Sequence, residues 1–178
     1  MPIALSSINS NVKGAMVPLG YTTSGSANFS NIPQTYAHLK IQGQIRGVNA
    51  STGEYGNITI NGGSTIYYGY GIGDGASVSS NSNTPTGSTA AYLGFIPGGN
   101  SAVGLFATYE IWVLNYANTT TYKTIIWRCA SDQNSSGQTI FGVGTVQSTA
   151  AVTQLNVYGS NGSATGTTHT IYGIKGAQ

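Results

Sequence analysis

From Tyr36 onward the chain alternates. Apolar or small residues hold the odd positions Ala37, Leu39, Ile41, Gly43, Ile45 and Gly47, and polar residues His38, Lys40, Gln42, Gln44 and Arg46 hold the even ones. Side chains of an extended strand point to opposite faces in turn, so this period of two predicts an antiparallel strand with one face buried. Two β-rich runs, 57–60 and 65–70, flank Asn61-Gly62-Gly63. Asn-Gly takes up positive φ easily, and the pattern predicts a hairpin. Residues 71–88 are rich in Gly, Ser, Asn and Thr, with Ile72 and Val78 as the large apolar residues, and read as a long loop. Strand-like runs resume over 89–96, 102–116, 121–130, 138–147, 151–158 and 167–174, divided by turn clusters. No segment keeps apolar residues at i, i+3, i+4 and i+7 over three turns. About nine strands, spaced roughly 10–15 residues apart, predict an all-β antiparallel sandwich or barrel.

The first 34 residues lack this period. They contain Pro2, Pro18 and Pro33, and their apolar residues are scattered: Ile3, Leu5, Ile8, Val12, Met16, Val17 and Leu19. Proline at this density disfavours a helix. The segment reads as an extended arm, residues 1–34, laid along other surfaces, ahead of a β-sandwich over residues 35–178. Pro2, Ile3, Leu5, Ile8, Val12, Met16, Val17 and Leu19 are its candidate contacts with a neighbouring protein.

Composition narrows the class. Six Lys or Arg and four Asp or Glu make only 6% of the chain charged, against about 25% in an ordinary soluble domain. The 20 Ser, 22 Thr, 15 Asn and 26 Gly together make nearly half of the 178 residues. Such a chain has no basic stripe for nucleic acid and no composition for long helices. With 39% hydrophobic and 10% aromatic residues, it still carries enough apolar surface to fold. Cys129 is the single cysteine, which excludes an intramolecular disulfide. Met1 to Ile8 offers neither the basic start nor the apolar core of a signal peptide. No apolar run reaches the roughly 18 residues of a membrane-spanning helix.

Residues suited to catalysis are few. The acids Glu54, Asp74, Glu110 and Asp132 are far apart in sequence and read as solvated, although a two-carboxylate glycosidase would need only one pair to converge. His38 and His169 fall at polar positions of their strands, without metal-ligand spacing. Cys129 reads as a buried, inert thiol. Gly71-Ile72-Gly73-Asp74-Gly75-Ala76 matches a phosphate-loop spacing but runs into Ser77-Val78-Ser79-Ser80, whereas that role needs a helix start. Six Asn-x-Ser/Thr sequons follow from composition. Tyr67, Tyr68 and Tyr70 draw more interest, since Tyr with Asn and Gly is the palette of adaptable recognition surfaces.

Three blocks carry a family likeness. Phe29-Ser30-Asn31-Ile32-Pro33-Gln34-Thr35-Tyr36-Ala37-His38-Leu39 resembles the opening segment of small virion structural proteins of tailed bacteriophages. Leu114-Asn115-Tyr116-Ala117-Asn118-Thr119-Thr120-Thr121-Tyr122-Lys123-Thr124 resembles a second block of that family. Ser148-Thr149-Ala150-Ala151-Val152-Thr153-Gln154-Leu155, followed by Ile171-Tyr172-Gly173-Ile174-Lys175, resembles its closing strands. Residues 47–110 diverge. The resemblance implies a jelly roll of about eight strands that forms a homotrimer, as in capsid decoration (cement) proteins and in fibre or tail components. It implies location on the virion after synthesis in the host cytoplasm, with the major capsid protein as partner. No enzymatic role, cofactor, metal, nucleic acid or membrane is expected. The runner-up is a tail-tip or fibre head that binds a host glycan through Tyr67, Tyr68 and Tyr70.

Overall fold

The computed structural model describes residues 16–23, 25–74, 76–82, 87–133 and 137–176. Within them lie twelve strands and no helix: β1 (Met16–Thr22), β2 (Ala27–Phe29), β3 (His38–Ile45), β4 (Gly53–Ile60), β5 (Ile66–Gly73), β6 (Val78–Ser82), β7 (Ala91–Pro97), β8 (Ala107–Leu114), β9 (Lys123–Asp132), β10 (Gly137–Val146), β11 (Leu155–Gly159) and β12 (Thr168–Ile174). The larger sheet has eight strands in the order β1-β12-β3-β8-β9-β10-β5-β6, and the smaller has four in the order β2-β11-β4-β7. Every pairing is antiparallel. The chain is therefore all-β and sandwich-like, as its alternation predicts.

That alternation sets the core. Leu39, Ile41 and Ile45 of β3 are fully buried, as are Ile111 and Val113 of β8 and Ile125 of β9. They meet Ile58 and Ile60 of β4, Leu93 and Ile96 of β7, and Leu155 and Val157 of β11. Each such side chain stabilises the fold by about 1.5–3 kcal/mol when removed from water. The smaller sheet does not cover the larger one completely. Its β2 packs against β12, and its β7 reaches β9, β10 and the near side of β5. Past that edge lies β6, exposed along its whole length.

Several expectations need correction. Asn61-Gly62-Gly63 does turn through positive φ, at 48°, 72° and 121°, but β4 and β5 do not form a hairpin; they belong to different sheets. The Asn61 side chain is the reason. Its Nδ2 donates to the Ala151 carbonyl (2.9 Å), and its Oδ1 accepts from Thr153 N (2.9 Å) and Gln154 N (3.1 Å). These bonds tie the turn to the segment before β11 and send the chain across to the larger sheet, where β5 pairs with β10. Residues 71–88 are not one loop. β5 continues to Gly73, and Val78–Ser82 returns beside it as β6. Asp74 closes this hairpin by accepting from Ala76 N (2.9 Å) and Ser77 N (2.7 Å), an Asx turn.

Of the segment read as an arm, residues 16–22 pair with β12 as one edge of the larger sheet, and residues 27–29 pair with β11 as an edge of the smaller. Pro18 fits because an edge strand has a side with no ladder to maintain, and the register shifts between Pro18 and Gly20. Leu19 packs against the core, Val17 is half-buried and Met16 is exposed. Pro2, Ile3, Leu5, Ile8 and Val12 lie outside the described residues.

Two polar residues placed at the surface by sequence are buried instead. Glu54 accepts from Asn49 N (2.7 Å) and Asn161 N (3.3 Å), which joins two loops. His169 is fully buried on the inner side of β12, with Ile171 as its inner neighbour. Its Nε2 donates to the Gly25 carbonyl (3.1 Å), and its Nδ1 accepts from the Tyr109 hydroxyl. Both ring nitrogens are satisfied in the neutral form, which offsets the desolvation that otherwise keeps polar groups out of a core.

Two outcomes follow from the core. A Cβ on Gly142 would stand 2.2 Å from Trp127 Cε2, so Gly142→Ala lowers stability by about 1–3 kcal/mol through overpacking; unchanged denaturant unfolding would contradict this packing. Burial lowers the pKa of His169 below its ordinary 6.5, against an opposing hydrogen bond at Gly25. The unfolded chain therefore takes up the proton first. The stability that neutral His169 contributes is fully present above about pH 6.5 and declines as pH falls through and below that value. The hydrogen-bonded carboxylates Glu110 and Asp74 add their own losses only below their ordinary values of 4.5 and 3.8. His169→Gln flattens the upper part of this profile, and identical wild-type and variant slopes between about pH 6.5 and 5 would contradict it.

Candidate functional site

The first surface is the outer face of the larger sheet. Register aligns Lys40 with Trp112, Ile126 and Val143 in one row, and Gln42 with Glu110, Arg128 and Phe141 in the next. Glu110 pairs with Lys40 (3.1 Å) and Arg128 (2.8 Å) and accepts from Trp112 Nε1 (3.4 Å). The Lys40 ammonium also stands 5.3 Å from the centre of the Trp112 ring, a cation–π contact. Partial burial pushes the Glu110 carboxyl up, but the hydrogen bonds from Lys40, Arg128 and Trp112 outweigh it and hold the pKa below 4.5. Beside this cluster Phe141 and Val143 are exposed. An open groove of about 980 Å³ runs over Gln42, Glu110, Arg128, Thr139 and Phe141 to Val78 of β6.

The second surface is an aromatic cleft at the uncovered side of the smaller sheet. Tyr55 of β4 meets Phe95 and Tyr92 of β7 edge-on, with ring centres at 5.4 and 5.6 Å. Tyr92 reaches round the sheet edge to Tyr70 of β5 (5.1 Å). Tyr70 stacks on Tyr68 (6.0 Å), which meets buried Trp127 edge-on (5.9 Å). The six rings form one continuous path from solvent to core. Tyr55, Tyr68, Tyr70 and Tyr92 line a cleft of about 530 Å³, and Asn57, Ile72, Ser88, Ala90 and Ser160 complete its wall.

These rings are held in place. The Tyr92 hydroxyl donates to Gln138 Oε1 (3.2 Å), and the Tyr68 hydroxyl is hydrogen-bonded to the Tyr92 backbone. Burial, then Tyr70, Tyr55 and Cys129 nearby, pushes the Tyr92 phenol far above its ordinary value. Burial likewise raises Tyr68. Tyr68 and Tyr92 therefore remain neutral donors and acceptors near neutral pH.

The tyrosines singled out by sequence are thus divided. Tyr68 and Tyr70 share the cleft, whereas Tyr67 alternates to the opposite face of β5 and packs where a Cβ on Gly87 would fall. Tyr55 and Tyr92 were missed. Their signal was present, since both are aromatic residues at the solvent-facing register of alternating strands, where only a fold can reveal that they adjoin Tyr70. The Lys40, Glu110 and Arg128 cluster was also missed, because its members come from three strands. Asp74 sits in a turn and Asp132 ends β9. Among the described residues no three His, Cys, Asp or Glu side chains gather to hold a metal ion.

Cys129 lies on the inner side of β9, with its thiol where a Cβ on Gly94 would come within 3.0 Å. Burial pushes its pKa up to about 12, so the reactive thiolate is scarce. Native protein resists iodoacetamide at pH 8, and protein unfolded in guanidinium is modified fully. Rapid native labelling would contradict this placement. Comparison with protein-family models, curated proteins and solved structures finds no match.

Proposed function

We propose that this chain is a virion structural protein of a tailed bacteriophage, acting as a capsid decoration (cement) protein between major capsid subunits. The strand order carries the reading. In the larger sheet β1, β12, β3 and β8 run side by side, the smaller sheet runs β2-β11-β4-β7, and the chain alternates between the two sheets from β1 to β4, with the first and last described strands paired. This order supports a jelly roll, the architecture implied by the phage-like blocks at 29–39, 114–124, 148–155 and 171–175. The hairpin strands β5 and β6 and the pair β9 and β10 extend one of its sheets.

A cement protein works by binding free energy. What binds only the assembled shell stabilises that shell by mass action. Exposed Phe141 and Val143 and a surface poor in charge suit contacts that salt barely weakens. As a homotrimer the protein would also cover sheet edges such as β1.

Binding to expanded capsids lacking the protein tests the proposal. Wild-type protein sediments with them, with affinity changing little between about 0.05 and 0.5 M NaCl. Removal of residues 1–15 spares the paired strand β1 and weakens binding while the unfolding transition stays in place. Failure of wild-type protein to bind overturns the cement reading, and unchanged binding of the truncated form overturns the arm's role.

The aromatic cleft favours a second reading, a tail-tip or fibre head recognising a host surface glycan. Adsorption of the purified protein to host cells would support it.

A further inference from the structure

We infer that the cleft between β7 and β5 is a binding site for a short neutral oligosaccharide, with Tyr55 as its stacking platform and Tyr92 and Tyr70 as its walls. The inference rests on the glycan-binding reading and specifies where on the fold, and to which class of sugar, that binding occurs.

Three features carry it. First, Tyr55 is 57% exposed yet fixed, because Phe95 and Tyr92 meet it edge-on at 5.4 and 5.6 Å. A ring braced by its neighbours and largely exposed loses little freedom on binding. The face of an aromatic ring is electron-rich, and the ring C–H bonds of a pyranose present a slightly positive apolar face that matches it. Second, the cleft walls combine such rings with hydroxyls and an amide. Asn57, Ser88 and Ser160 stand among the tyrosines, placing donors and acceptors where the edge of a sugar ring would lie. Third, among the described residues none that lines the cleft is charged. A carboxylated or sulfated sugar would shed its hydration there without gaining a cation, so the lining selects a neutral ligand.

The size agrees. A volume of about 530 Å³ falls within the ordinary range of ligand sites, roughly 300–1,000 Å³. Proline-rich peptides also dock on aromatic grooves, but they use parallel ridges. Here successive rings turn by 23°, 54° and 76°, giving a curved wall suited to a compact ring.

The test titrates full-length protein with maltohexaose, cellohexaose, laminarihexaose, mannohexaose, hexagalacturonate and a decaproline peptide, read by calorimetry and by Trp fluorescence. Trp127 touches Tyr68 at the inner end of the ring path. At least one neutral hexasaccharide binds saturably below about 10 mM, and Tyr55→Ala and Tyr92→Ala each weaken it about tenfold or more. Tyr122→Ala, at an exposed residue outside the cleft, leaves it unchanged. No saturable binding of a neutral sugar, binding indifferent to Tyr55→Ala, or preference for hexagalacturonate or decaproline overturns the inference. Because Tyr55 is largely exposed, its replacement tests the site even if Tyr92→Ala fails to fold. Host-cell adsorption separates the two claims. Adsorption that survives Tyr55→Ala overturns the cleft assignment and spares the glycan reading, whereas sugar binding sensitive to Tyr55→Ala without adsorption supports the cleft and removes that reading.

Discussion

The packing of a four-stranded sheet on an eight-stranded one governs the rest of this molecule. Most of the large side chains facing the smaller sheet are Ile, Leu, Val and Trp, drawn into the core by the free energy of leaving water. Where that cover ends, the larger sheet must change its residues or expose apolar surface. It does so across two strands. In β5 the inward row passes from buried Ile66 to half-buried Tyr68, Tyr70 and Ile72, and in β6 all residues are exposed. Tyrosine suits this border because its ring packs and its hydroxyl stays hydrogen-bonded. The aromatic cleft is thus a product of unequal sheets.

The scarce charges have structural duties. Arg46 donates to the carbonyls of Gly99, Ser101, Ala102 and Leu105 at 2.6–3.4 Å and so holds the 99–105 connection. Buried Lys123 donates to those of Thr121, Ser148 and Thr149 at 2.6–3.4 Å, and desolvation lowers its pKa. Glu54 gathers backbone N–H groups from two loops. Each replaces lost hydration with backbone partners, as burial of a charge requires. Lys40, Glu110 and Arg128 form an ion-paired cluster on the open face of the larger sheet.

What could be read from the sequence follows from how local its cause is. Alternation in β3 depends on one strand's own residues, and Leu39, Ile41 and Ile45 are buried as expected. β6 escaped detection because Val78–Ser82 has no buried face, and its pairing follows from the Asp74 turn. The Asn61 turn was visible, but its destination depends on bonds to residues 151–154, about ninety positions away. His169 looked polar because its partners, Tyr109 and Gly25, lie 60 and 144 positions away in sequence. The same limit applies to the cleft. Tyr68 and Tyr70 stood out as a cluster, whereas Tyr55 and Tyr92 join them only through β4 to β7 pairing and the edge that β7 presents to β5.

In the proposed role the molecule is a virion component that presents these surfaces to a neighbour. Cryo-electron microscopy of the intact particle tests it most directly. For a cement protein, density matching the eight- and four-stranded sheets is expected on the head, where major capsid subunits meet, with Met16 directed toward the shell. Density confined to the tail would contradict the capsid role in favour of receptor binding, and absence from the purified particle would contradict the virion assignment altogether.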